Sequence, residues 1–120
     1  MRVRLRFEFG PDLKIGPGKA ELLEKIAELG SIAAAGRAMG MSYKRAWSLV
    51  EEMNHAFAEA VVVAVRGGAG HGGAELTDTG RAVIAEFRAL ERLVQGAEGQ
   101  SRIATLIGLM KPGVGVSDSH

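Results

Sequence analysis

At 120 residues with 47% apolar content, the chain is the size of one ordinary domain that buries a core without disulfides or metals. It has no cysteine, which excludes a disulfide framework and a cysteine zinc site, and His55, His71 and His120 are too scattered for a metal cage. Fifteen basic against fourteen acidic residues leave a net charge of +1, so only a local concentration of charge can mark a polyanionic partner.

Residues 2 to 9, Arg-Val-Arg-Leu-Arg-Phe-Glu-Phe, alternate strictly, with Val3, Leu5, Phe7 and Phe9 on one side. This is the pattern of a half-buried strand, and Gly10-Pro11-Asp12 stops it. Two uses are open for its arginines: touching phosphates, or keeping an edge strand from aggregating. Leu22, Leu23, Ile26 and Leu29 then recur at helical spacing and predict a first helix over 18–29, with Gly30 as a left-handed C-cap. Ser31 caps a second, from Ile32 to Met39, rich in small residues that let another helix approach.

The second helix must stop at Gly40, because Ser42 caps a third that runs from Tyr43 to Phe57. Ala46, Leu49, Val50, Met53 and Phe57 give it one apolar face, while Lys44, Arg45 and Ser48 begin the opposite one. Two short-linked helices with a glycine between them are a helix-turn-helix candidate. No Asp or Glu occurs between Glu28 and Glu51, a window holding Arg37, Lys44 and Arg45, so the local concentration of positive charge falls on the turn and the start of the third helix.

Val61 to Arg66 and Ala74 to Leu76 predict two strands around a glycine-rich loop, and Thr77-Asp78 caps a long helix reaching residue 95, with Val83, Phe87, Leu90 and Val94 on one face. Past Gly96 the sequence loosens; its apolar patch from Ile103 to Met110 either forms a short helix or docks on the body, and the last residues are expected to be mobile. The loop contains a G-x-G-x-x-G, Gly68, Gly70 and Gly73, the spacing of a dinucleotide-binding turn. Such a turn needs its third glycine at the start of a helix within a βαβ unit, whereas Gly73 leads into Ala74-Glu75-Leu76, so the glycines read as a wing tip.

Strand, three helices, two strands and a long helix make an α+β, mainly α fold: a winged helix-turn-helix with a small antiparallel sheet and a long C-terminal helix. Residues 1–95 are expected to form the DNA-binding domain and 96–120 a partly flexible extension. The stretch Gly30 to Asn54 resembles the N-terminal domain of ModE-type molybdate-responsive transcription regulators, above all Met41-Ser42-Tyr43-Lys44-Arg45-Ala46-Trp47 and Glu52-Met53-Asn54; Gly67 to Arg81 continues it. The resemblance implies a dimeric repressor or activator on a palindromic, inverted-repeat operator, related to LysR-like proteins and concerned with molybdenum uptake or use. It places molybdate in a C-terminal pair of molbindin modules, which the 25 residues from 96 to 120 are too few to supply, so molybdate binding is not expected here and neither is a cofactor.

Candidate DNA contacts follow, with the helix over 42–56 in the major groove. Lys44 and Arg45 suit guanine edges or phosphates, or form an ordinary solvated face. Tyr43 and Ser42 offer hydroxyls, Ser42 equally serving only as a cap; Ser48 lies one turn on from Lys44. Arg37 is a candidate backbone clamp, Ser31 a phosphate site at a helix start, and Arg66 and His71 the cations of the wing. Val83, Phe87, Leu90 and Val94 are the expected dimer stripe. With no nucleophile, acid-base pair or metal cluster at useful spacing, and no signal or membrane segment, an enzyme is not expected and a cytoplasmic location is. The competing role is a partner-binding module that heterodimerises with a longer regulator without reading DNA.

Overall fold

The structure, a computed structural model, describes residues 2–66 and 72–115; His71 lies outside them. In chain order the elements are β1 (Phe7–Glu8), β2 (Lys14–Ile15), α1 (Pro17–Leu29), α2 (Ile32–Ala38), α3 (Tyr43–Ala56), β3 (Val62–Arg66), β4 (Gly72–Leu76), α4 (Asp78–Gln95) and α5 (Ala97–Gly108). Two antiparallel pairs, β1 with β2 and β3 with β4, flank a three-helix body, which is the winged helix expected from the sequence.

The helical pattern of α1 buries Leu22, Leu23 and Ile26 completely, each worth about 1.5–3 kcal/mol relative to exposure. Facing them are Ala35 from α2, Ala46, Val50 and Met53 from α3, and Val61, Ala74 and Leu76 around the β3–β4 hairpin. At the crossing of α2 and α3 only a glycine fits comfortably: a Cβ on Gly36 would stand 3.0 Å from the Cβ of Ala46. Gly40, at φ +71°, makes the turn between them, and Ser42 starts α3 by accepting the Arg45 amide at 3.0 Å.

Three ties fix the hairpin to the body. The amide of Ala74 donates to the carbonyl of Gly30 at 2.9 Å, so β4 hangs from the C-cap of α1. The side chain of Asn54, on the last turns of α3, accepts from the Val61 amide at 2.8 Å and the Val62 amide at 3.2 Å. Thr77 caps α4 by accepting the Gly80 amide at 3.0 Å while its hydroxyl donates to Ala60 at 2.5 Å. Arg88 of α4 forks onto Glu24 of α1 at 2.6 and 3.2 Å, and this hydrogen bonding holds the guanidinium even further above its ordinary pKa.

The structure departs from the sequence reading in three places. The N-terminal strand pairs only at Phe7–Glu8, against a β2 that two residues could not announce, although inward and outward positions alternate back to Val3. Phe87 is 3% exposed and meets Phe7 edge-on with centroids 6.2 Å apart, so it belongs to the chain's own core and is removed from the dimer stripe. The helix α5 begins at Ala97, earlier than the apolar patch from Ile103, and buries none of its residues. It packs on α4, and the molecule is drawn out to 59 × 28 × 26 Å. No described helix is long and apolar enough to cross a membrane.

Candidate nucleic-acid interface

Because α3 advances about 100° per residue, its burial of Ala46, Val50 and Met53 decides where every other side chain points. Lys44 and Ser48 fall on the crest opposite that face. Tyr43 and Trp47 fall on the flank toward the β3–β4 hairpin, and Arg45 on the other flank. All six residues from Ser42 to Ser48 other than Ala46 are exposed, Tyr43 at 60% and Trp47 at 43%.

On the hairpin flank, Tyr43 and Trp47 share a groove of about 440 Å³ with Ser31, Val62, Gly72 and Gly73. Ser31 caps α2 by accepting the Ala34 amide at 3.1 Å, so the start of that helix opens beside the two aromatic rings. On the opposite flank, a groove of about 530 Å³ is lined by Arg45 together with Arg4, Arg6, Lys14, Lys19 and Glu52. Lys19 is committed there: its ammonium donates to Lys14 O at 2.5 Å and to Glu52 at 3.0 Å.

The expected contact residues therefore separate. Ser31 and Tyr43 come together on one flank, Arg45 stands on the other, and Lys44 lies between them. Ser42 is spent on its cap, with its residue still exposed. Ser48 borders a depression of about 770 Å³ that also holds Glu51, Glu52 and His55, which places carboxylates behind the first two turns of α3. Arg37 is exposed on the last turn of α2 and lines neither groove; Arg66 is exposed at the end of β3, opposite Gly72. One participant had no role in the sequence reading beyond its place in the resembling stretch: Asn54, whose side chain fixes the angle between α3 and the hairpin. Trp47, the single tryptophan, stands beside the hairpin strands, half exposed. Among the described residues no group of three or more His, Asp or Glu is placed to hold a metal.

No family model matches the chain. Against curated proteins it is 42% identical over 86 residues to the molybdenum-pterin-binding protein MopA of Rhodobacter capsulatus, covering 72% of this chain and 32% of that one. It is 44% identical over 79 residues to the molybdenum transport protein ModE of Azotobacter vinelandii, covering 66% and 29%. The DNA-binding transcriptional dual regulator ModE of Escherichia coli K12 is 38% identical over 81 residues, covering 68% and 31%.

The chain is a homologue of the ModE and Mop proteins.

This ModE homologue spans about a third of the length of those curated relatives. Among solved structures, the DNA-binding domain of CbnR in complex with DNA matches with a TM-score of 0.56 at 22% identity, covering 73% of this chain and 95% of that one. Full-length CbnR with its target DNA matches at 0.52, with 21% identity and coverages of 71% and 28%. At that identity the likeness shows the shared winged-helix fold.

Proposed function

We propose that the chain is a sequence-specific, double-stranded-DNA-binding transcription regulator that places α3 in the major groove and acts as a homodimer on an inverted repeat. The observation that carries this reading is the first turns of α3. Lys44 and Arg45 stand exposed on a short helix whose neighbours from Leu29 to Val50 include no carboxylate, on a fold held together behind them. A helix presented in this way matches the width of the major groove, and its cations suit guanine edges and phosphates. The carboxylates from Glu51 onward limit entry to the first two turns, since phosphates repel them. Homology to ModE, named as a DNA-binding dual regulator in Escherichia coli, supports the same role and points to genes of molybdenum uptake or use.

In this reading residues 1–95 are the DNA-binding unit, Ser31 and Tyr43 meet phosphates on the hairpin flank, Arg37, Ser48 and Arg66 lie at the margin, and Val83, Leu90 and Val94 contribute to the two-fold contact. Val83 and Leu90 border an apolar depression of about 260 Å³ with Phe9 and Phe57, so the dimer surface widens toward β1.

Selection from a random duplex library at near-physiological salt, alongside the Lys44→Ala/Arg45→Ala variant, tests the assignment. An enriched inverted repeat, weakened in the variant by about 1–3 kcal/mol per lost base contact, supports it. Folded protein that enriches nothing refutes it and transfers the role to a partner-binding module.

A further inference from the structure

We infer that the N-terminal strand forms a second phosphate-binding arm, along which the DNA backbone on the side of α3 away from the hairpin would run, held by Arg4, Arg6 and Lys14 together with Arg45. This rests on the reading of α3 as the helix that enters a duplex.

A helix seated in a major groove has a sugar-phosphate strand on each side of it. The hairpin flank of α3 offers Ser31 and Tyr43 to one strand. The other flank is the groove of Arg45, where five cations gather around one carboxylate, Glu52. Lys19 is already held by that carboxylate, which leaves four positive side chains. Among the described residues, none of Arg4, Arg6, Lys14 and Arg45 has a salt-bridge partner.

Their direction is imposed by packing. Leu5 and Phe7 are drawn onto the core, and Phe7 pairs with Ile15, so the intervening Arg4 and Arg6 are turned outward. Gly16, which precedes α1, lies in van der Waals reach of this stretch, its Cβ position 3.6 Å from Cγ of Arg6. Edge protection against aggregation would be served by arginines facing open water. These instead face a groove shared with the first turn of α3, where the cations outnumber the single carboxylate Glu52 and their mutual repulsion is relieved when a polyanion binds. The arm is continuous with Arg45 and so reaches the same bound duplex, which favours DNA backbone over a free phosphate ion. Phosphates carry no sequence information, so the arm adds affinity and register, not base choice.

The experiment is a salt titration of affinity for two duplexes, one selected by the protein and one shuffled. It compares the native chain with Arg4→Ala/Arg6→Ala, Arg4→Gln/Arg6→Gln and Arg4→Lys/Arg6→Lys. Each phosphate contact contributes close to one unit to the slope of log affinity against log salt. The alanine and glutamine pairs are expected to weaken both duplexes by the same factor and to flatten the slope by about 2, while the lysine pair restores it. An unchanged slope in folded alanine and glutamine variants overturns the arm, as does a loss confined to the selected duplex. If Lys44→Ala weakens binding while the arm variants do not, the arm alone fails. If the native chain shows no salt-dependent binding to either duplex, the reading of α3 fails and the arm with it.

Discussion

The carboxamide of Asn54 holds the backbone of Val62 in both directions: Oδ1 accepts from the Val62 amide at 3.2 Å and Nδ2 donates to the Val62 carbonyl at 3.2 Å. One helical side chain thus supplies the pairing that a neighbouring strand would give, and the same Oδ1 also takes the Val61 amide. Asn54→Ala leaves these groups without their partner at the root of the hairpin. Chemical denaturation should show a loss of about 1–3 kcal/mol. Asn54→Asp, which retains the acceptor and loses the donor, should fall between the two; an alanine variant as stable as the native chain contradicts the role.

Two glycines in helices should respond oppositely to alanine. A Cβ on Gly80 would fall inside the carbonyl of Val61, which already accepts the Thr77 amide at 3.0 Å. Gly80→Ala therefore forces α4 away from the hairpin and should cost about 3 kcal/mol, the upper part of the usual range for overpacking. Gly18 has nothing within 4 Å of the same position and lies in the first turn of α1. Gly18→Ala should be neutral or stabilise by about 0.5 kcal/mol through the unfolded chain. Thermal unfolding of the pair, side by side, checks both signs.

The apolar face of α4 divides between body and surface, and substitutions should separate the two parts. Phe87→Ala removes a core aromatic and should cost about 3–5 kcal/mol in stability. Leu90, at 39% exposure, is open to a partner. Leu90→Lys should keep the helical spectrum while shifting a dimer to monomer in sedimentation equilibrium at micromolar concentration. A native chain that sediments as a monomer there contradicts the proposed two-fold contact.

Trp47 is the only tryptophan and stands 43% exposed in the hairpin-side groove. If α3 enters DNA by its first two turns, adding duplex should change the emission of this ring in step with binding. Emission that stays constant through a titration in which an independent assay sees binding would place the duplex elsewhere on the molecule.

Sequence patterns reached what depends on neighbours along the chain. The period of Ala46, Leu49, Val50 and Met53 gave the inward face of α3, and Ser31, Ser42 and Thr77 each cap the helix they precede. They failed where a partner distant in sequence decides. β2 is two residues long and exists because Phe7 and Glu8 lie beside it. The stripe of Val83, Phe87, Leu90 and Val94 has helical spacing, but spacing does not say whether a face meets its own core or another molecule, and Phe87 went inward. Past Gly96 the sequence looked loose, although α5 begins at Ala97. Gly99 instead sits where any side chain would collide with the Val94 carbonyl, so a glycine there lets the two helices meet at a close angle.

Three hydrogen-bonded ties hold the β3–β4 hairpin to the helices: Gly30 through the Ala74 amide, Asn54 through Val61 and Val62, and Thr77 through the Ala60 carbonyl. The tilt of the hairpin against α3 is thus set by polar fastenings at three separate points, and it can be adjusted one fastening at a time while Leu22, Leu23 and Ile26 keep the body intact.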